Sequence, residues 1–387
     1  MVSLSAVGEL APGVYAQGAA ADPALTSSVG VPIGAAVPAP ATASTSAWTT
    51  YKGDAQRTSS SEARLNLPLN LMWRHTSDAA PVVTSGSPLV VGPQGLRRVY
   101  FAAGTAVYCI DAQNGTQLWK STLGGTLRAP LSILTGETGD LVLATTTGGQ
   151  MTALRSSDGG TVWTAETRSP VQGASPVLAK TANGERILAA IATGRVIAFT
   201  RDGKIDPDFE VRLGRVGSTP TSTPILTPKG DKLIVTAQDR NMYAVNLADA
   251  SVAWTTPLRA TAYTSPTISG NLILTALENS LVGLYESDGE VKWRADLAGR
   301  ALGSPATRAG VAYIGTVRGS LFAIDVTEGT TLWKADLQGS ISGTPLVLPN
   351  VVIVGTRNGV LHGLNPQDGK VIWRYRMHTE RAMAVAA

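Results

Sequence analysis

Ile324-Asp-Val-Thr-Glu-Gly-Thr-Thr-Leu-Trp333 recurs, slightly altered, as Ile110-Asp-Ala-Gln-Asn-Gly-Thr-Gln-Leu-Trp119 and as Leu364-Asn-Pro-Gln-Asp-Gly-Lys-Val-Ile-Trp373. Weaker copies end at Trp254 and Trp293. In the strong copies an acidic or amide residue and then Gly stand shortly before the Trp. Such a side chain bonds nearby backbone, and Gly takes φ > 0 without a Cβ clash, so the centre of the unit is a turn. The apolar residues on either side read as two short strands. The flat Trp can bury a large apolar area while its N–H seeks a backbone acceptor.

Outward from this unit, Trp73, Trp119, Trp163, Trp254, Trp293, Trp333 and Trp373 fall 46, 44, 91, 39, 40 and 40 residues apart. The long gap is two periods, with Phe209 in the vacant place. A second register is independent of the first: Ser87-Pro88, Ala129-Pro130, Ser175-Pro176, Thr223-Pro224, Ser265-Pro266, Ser304-Pro305 and Thr344-Pro345. Together they mark seven complete repeats between residues 87 and 376. The sixth contains four short β-like segments: Ser304-Pro-Ala-Thr, Val311-Ala-Tyr-Ile-Gly315, Ser320-Leu-Phe-Ala-Ile324 and Thr331-Leu-Trp-Lys334. Gly, Asn or Asp separates them, as hairpins require. Nothing shows a sustained 3.6-residue apolar period. Four strands in each repeat of this length predict an all-β propeller of four-stranded antiparallel blades. We label the strands A to D, innermost to outermost.

This pattern resembles the pyrroloquinoline quinone-like (PQQ-like) propeller repeat, found in quinoprotein dehydrogenases and in non-catalytic BamB-like outer-membrane assembly proteins. The resemblance covers residues 48–376 and includes the lead-in Trp48-Thr-Thr-Tyr-Lys-Gly-Asp-Ala-Gln-Arg57-Thr58. It implies that the seven tryptophans are structural. It also implies eight blades. Here the eighth would be a composite of both termini: a D-like strand ending at Trp73, the tail through Arg381–Ala386, and strands from residues 10–35. A seven-bladed ring with Trp73 packed outside it is the alternative.

The same resemblance bears on chemistry. Quinoprotein alcohol dehydrogenases of this family set a vicinal Cys–Cys disulfide against the cofactor, and they bind calcium through carboxylate and amide oxygens beside a catalytic Asp. Cys109 is the sole cysteine, and no carboxylate cluster converges on one loop. The expectation is therefore a non-catalytic, monomeric scaffold with no catalytic residue, metal or cofactor. It would present loops to a protein partner or an anionic saccharide. A PQQ-dependent oxidoreductase or cofactor-binding sensor, with calcium, is the alternative. Family resemblance points outside the cytoplasm, to the periplasm or cell surface.

Composition agrees with this frame. Of 387 residues, 43% are apolar and only 16% charged, with 41 Gly to serve turns. One cysteine rules out a disulfide framework and Cys-rich zinc or haem motifs. Three histidines leave little for a metal centre. The net charge of +4 does not suggest nucleic acid, and no apolar run is long enough for a membrane span. Residues 1–47 are Ala-, Pro-, Ser- and Thr-rich, with no Lys or Arg, and lack the basic and apolar regions of a signal peptide. They are read as a low-complexity, partly disordered segment ahead of a propeller over 48–387.

Candidate binding residues come from sorting charges by connection. In an antiparallel blade the B–C and D–A connections share one end. The D–A connections hold Arg128, Arg168, Arg215, Arg259 and Arg300, and the B–C connections hold or abut Arg195, Arg240, Arg318 and Arg357. The opposite end carries Asp158, Asp202, Asp249, Asp288, Glu328 and Asp368 in the C–D turns. The expectation is one arginine-rich face, suited to carboxylates and other anions, and one acidic rim. Cys109 in an apolar strand is expected as a buried thiol, and His362 as a packed histidine.

Overall fold

The computed structural model describes residues 3–7 and 50–377, apart from 68, 70, 77–86, 93–95, 137–138, 172–173, 182–183 and 216–217. Among these, seven four-stranded antiparallel sheets follow one another as blades 1 to 7: residues 89–122, 132–166, 177–212, 225–257, 267–296, 306–336 and 346–376. Each is ordered A–B–C–D with neighbours consecutive in sequence. The B and C strands are buried on both faces, as in Leu272–Leu277 and Ser280–Tyr285 of blade 5. The D strands alternate, as in Thr331–Asp336, because they form the outer wall.

The eight-bladed expectation is corrected to seven. Leu71–Thr76 does form a strand, but its sheet has two members, the other being Ser3–Val7. The residues 10–35 and 378–387 invoked for the composite blade lie outside the described residues. The Trp register marks D strands alone, so the D-like strand at Trp73 does not by itself imply an eighth blade. The seven-bladed alternative is the arrangement observed: Trp73 lies on a strand outside the seven sheets, and its side chain packs against blade 1. It is 7% exposed, packs with Val99, Phe101 and Tyr108 of blade 1, and donates its N–H to the Ala112 carbonyl at 2.8 Å.

Five contacts between consecutive blades repeat that arrangement, whereas the N–H of Trp373 in blade 7 is buried without a partner among the described residues. Trp119, Trp163, Trp254, Trp293 and Trp333 each donate to a carbonyl in the C–D turn of the following blade, at 2.8–3.2 Å. The turn glycine beneath each ring is required twice over. At Gly369, φ is +69° and a Cβ would lie 2.5 Å from the Trp333 ring.

At Phe209 the indole is replaced piecemeal. The carbonyl that a tryptophan would use is that of Leu247, and it accepts from Arg186 at 2.9 Å. The Arg186 guanidinium lies 5.0 Å over the Phe209 ring and pairs with Asp206 at 2.7 Å. The smaller ring leaves room for a Cβ in the facing turn, where Ala250 stands at φ +56°.

Towards the axis, the hydroxyls before the A-strand prolines stitch blades together. The Ser175 N–H donates to Thr223 Oγ1, Thr223 N–H to Ser265 Oγ, Ser265 N–H to Ser304 Oγ and Ser304 N–H to Thr344 Oγ1, at 2.9–3.2 Å.

Candidate functional site

Innermost A strands leave an unpaired edge facing the axis, which proteins must cover. Here the lead-in covers four of them. The carbonyls of Ala55, Gln56, Thr58 and Ser59 accept from Leu226, Ile268, Thr307 and Val347, the A-strand N–H groups of blades 4, 5, 6 and 7 in turn. Side chains fix this belt. Lys52 Nζ donates to the Pro305 carbonyl at 2.6 Å and Ser59 Oγ to that of Pro345 at 2.7 Å. Arg57, 1% exposed, donates to Thr50 Oγ1 and to the Tyr51 carbonyl. Burial pushes the Lys52 amine well below its usual pKa, against the opposing pull of Asp54. Lys52, Arg57 and Ser59 all have φ between 54° and 62°, so the belt is held in a conformation its own residues disfavour.

The nine arginines occupy the connections expected of them. Arg128, Arg168, Arg215, Arg259 and Arg300 lie between D and A strands, and Arg240, Arg318 and Arg357 between B and C strands. Arg195 opens the C strand of blade 3. Topology puts all of these at one end of the ring. They are not equivalent. Arg168, Arg240 and Arg259 have φ of 59°, 66° and 68°, whereas Gly149, Gly194, Gly319 and Gly359 fill the place of Arg240 in other blades. Arg318 is tied to the Ala298 carbonyl at 3.1 Å, and Arg195 is ion-paired with Glu210.

Grooves open at this end among the described residues. One, of about 390 Å³, is lined by Thr261, Tyr263, Thr264, Glu278 and Arg300 around blade 5. Another, of about 510 Å³, lies at blade 3 and includes Arg168, Arg195 and Arg212. Sequence reasoning missed Arg212. It ends a D strand, where alternation reads as outer wall, and only register brings it beside Arg195.

At the opposite end, the acidic residues serve the turns. Asp158, Asp249, Asp288 and Asp368 each accept a backbone N–H two residues on, at 2.9–3.1 Å. Arg155 pairs with Asp158, Lys204 with Asp202 and Lys370 with Asp368. The Lys204 contact, with Thr200, holds Asp202 down at about 2. Three of these acids are thus matched by a cation in their own turn, while Asp249 and Asp288 accept hydrogen bonds without one among the described residues.

Cys109 is fully buried, and burial pushes its thiol up to about 11. His362 is 3% exposed with Nε2 near Thr356 Oγ1 at 3.3 Å. Burial, then Arg374, depress its pKa to about 4. His75 sits edge-on to Phe101, and His378 lies outside the described residues. Among the described residues no three His, Cys, Asp or Glu side chains gather as a metal would need. A PQQ site of the dehydrogenase type does not fit the described residues: a lone buried thiol cannot form the vicinal disulfide, and among them no carboxylate set is gathered for calcium.

The model of the family described as outer membrane protein assembly factor BamB matches residues 70–219, 205–303 and 278–386. The chain belongs to this family of PQQ-like propellers. No curated protein matches it. Solved structures share the fold at low identity. BamB from Moraxella catarrhalis is 18% identical, with a TM-score of 0.60 over 74% of this chain and 86% of that one. A europium-containing methanol dehydrogenase is 14% identical, with a TM-score of 0.66 over 86% of both chains. Quinohemoprotein alcohol dehydrogenase from Comamonas testosteroni is 14% identical, with a TM-score of 0.69 over 88% of this chain and 74% of that one. Membership of the BamB family is therefore established, while a fold shared with a BamB and with two dehydrogenases leaves the activity open. No helix among the described residues is long and apolar enough to cross a membrane.

Proposed function

We propose that this BamB-family chain is a non-catalytic scaffold of the cell envelope that binds a protein partner through the arginine-bearing end of its ring. One observation carries the reading: the B–C and D–A connections bring nine arginines to one end, three of them held at positive φ. A side chain kept at positive φ where glycine is unstrained costs about 1 kcal/mol, and such outliers gather where a surface is used. Guanidinium forks in loops recognise carboxylates bidentately and steer an anionic partner. Support for a scaffold over an oxidoreductase comes from the lone buried thiol and from the belt of residues 55–59 bonded into the ring's inner edge.

The test has two arms. A partner is identified by cross-linking in intact envelopes and its binding is measured against salt. Arg240, Arg318 and Arg357 are then changed together to Glu. The expected result is weaker binding with a shallower salt dependence; unchanged affinity and salt slope would sink the proposal. Separately, the protein is incubated with PQQ, calcium and an artificial electron acceptor. Dye reduction above the protein-free control would replace the scaffold reading with the quinoprotein one.

A further inference from the structure

The seven blades are an internal series of experiments on one backbone position. The first residue of each C strand lies directly opposite the last residue of its D strand, on one face of the sheet. In blade 2 that pair is Gln150 with Glu166, in blade 5 Ser280 with Asp296, and in blade 6 Ser320 with Asp336. The amide or hydroxyl donates to the carboxylate at 3.3 Å in blade 2 and 2.6 Å in blade 6. Blade 3 has Arg195 opposite Arg212. Like charges directly opposite are destabilising, so this blade carries a repulsion that its siblings avoid.

The repulsion is only partly relieved. Glu210, opposite Ile197 on the same face, pairs with Arg195. Arg212 is exposed and has no ion pair among the described residues. Arg168 enters the same groove from the connection out of blade 2, at φ 59° and likewise without an ion pair among them. Three guanidinium groups against one carboxylate leave a surplus of two positive charges around about 510 Å³. The floor is aliphatic: Ile191 and Ile197 belong to the core between blades 2 and 3. Arginine stems add further apolar wall while their charged heads reach solvent.

We infer that this groove binds a carboxylate borne on an aliphatic body, supplied by an acidic segment of a partner polypeptide. The inference rests on the scaffold reading above and gives that surface a specific pocket. An Asp or Glu carboxylate would take the fork of Arg212, with Arg168 beside it, and a neighbouring aliphatic side chain would lie on Ile191 and Ile197. The volume is within the range of ligand pockets. A uronate sugar is a poorer fit, because its hydroxyls would find few side-chain partners here beyond Thr193 and Glu210.

The probe is a fluorescent, blocked peptide alternating Glu and Leu, compared with its Gln-Leu isostere by anisotropy at low salt. The key variant joins Arg195→Ser to Arg212→Asp, the pair that blades 5 and 6 already fold with. A charge-matched control joins Arg318→Ser to Arg357→Asp. Intact protein is expected to prefer the acidic peptide, the blade 3 variant to lose about tenfold or more in affinity, and the control to lose far less. The pocket is overturned by equal loss in both variants, by no loss in the blade 3 variant, by indifference between the two peptides, or by failure of the acidic peptide to bind. Binding of an oligouronate in its place overturns the peptide assignment. Equal loss in both variants leaves the arginine face standing as a diffuse surface, whereas the partner experiment with Arg240, Arg318 and Arg357 tests that face itself.

Discussion

One side chain out of register discloses how this ring is packed. Phe209 stands where its siblings have tryptophan, and three other residues compensate. Arg186 supplies the missing N–H to the Leu247 carbonyl, Asp206 neutralises it, and Ala250 occupies the space the larger ring would need. Phe209→Trp alone should therefore overpack the site and destabilise the protein by about 2 kcal/mol. Ala250→Gly alone should be neutral or stabilise by about 1 kcal/mol, because Ala is strained at φ +56°. Made together, they should recover at least half of the loss. Urea unfolding of the four proteins gives the coupling energy, and additive effects would show that ring and turn are independent. Phe209 was legible in the sequence as a filled gap in the tryptophan register. Its partners were not, since nothing in a period of apolar residues reports that an arginine on a B strand reaches a turn in the next blade.

The lead-in teaches the corresponding lesson for whole elements. Blades were legible because turn chemistry and tryptophan recur, and because period-two patterns fix which face of a strand is buried. The path of residues 50–62 was not, because its conformation is set by four separate A strands rather than by its own sequence. The eighth blade fails for a different reason: a family's usual blade number and one D-like strand do not supply the other strands of a sheet, and Leu71–Thr76 has only Ser3–Val7 beside it among the described residues. Ser59 makes the belt testable. Its φ is +54°, its N–H donates to the Lys52 carbonyl, and its own carbonyl holds Val347. Ser59→Pro forbids that φ and removes the donor, and should lower stability by about 3 kcal/mol. Ser59→Gly keeps both and should stay within about 1 kcal/mol of the parent. Equal thermal shifts for the two variants would mean that the belt contributes little.

For the molecule as a whole, the acid limb of the stability curve should be biphasic. His362 has a folded pKa of about 4, below its ordinary value of about 6.5. The unfolded chain therefore binds a proton there first. The stability that neutral His362 represents is complete above about pH 6.5 and is lost as pH falls from there to about 4. Turn carboxylates follow: Asp158, Asp202, Asp249 and Asp368 are held below their usual range, so their contribution fades at lower pH still. His362→Leu should flatten the upper phase and leave the lower one unchanged. Unfolding midpoints from pH 7 to 3 would decide this, and an unaltered upper slope would remove His362 from the account. At this scale the arginine-bearing end was legible from connection order alone. The groove within it was not, because it depends on the cross-strand register that sets Arg212 opposite Arg195.

The belt also carries a consequence for the order of events during synthesis. Its anchors join residues far apart in the chain: Lys52 to Pro305 is a separation of 253 and Ser59 to Pro345 one of 286. Individual blades are local hairpins and can form as they leave the ribosome. The segment that emerges before them gains its bonds to the ring only as their A strands appear, from Leu226 in blade 4 to Val347 in blade 7. The belt therefore cannot be completed before the seventh blade has been made, and the chain's earliest described stretch after the first strand depends on its last blade to become native.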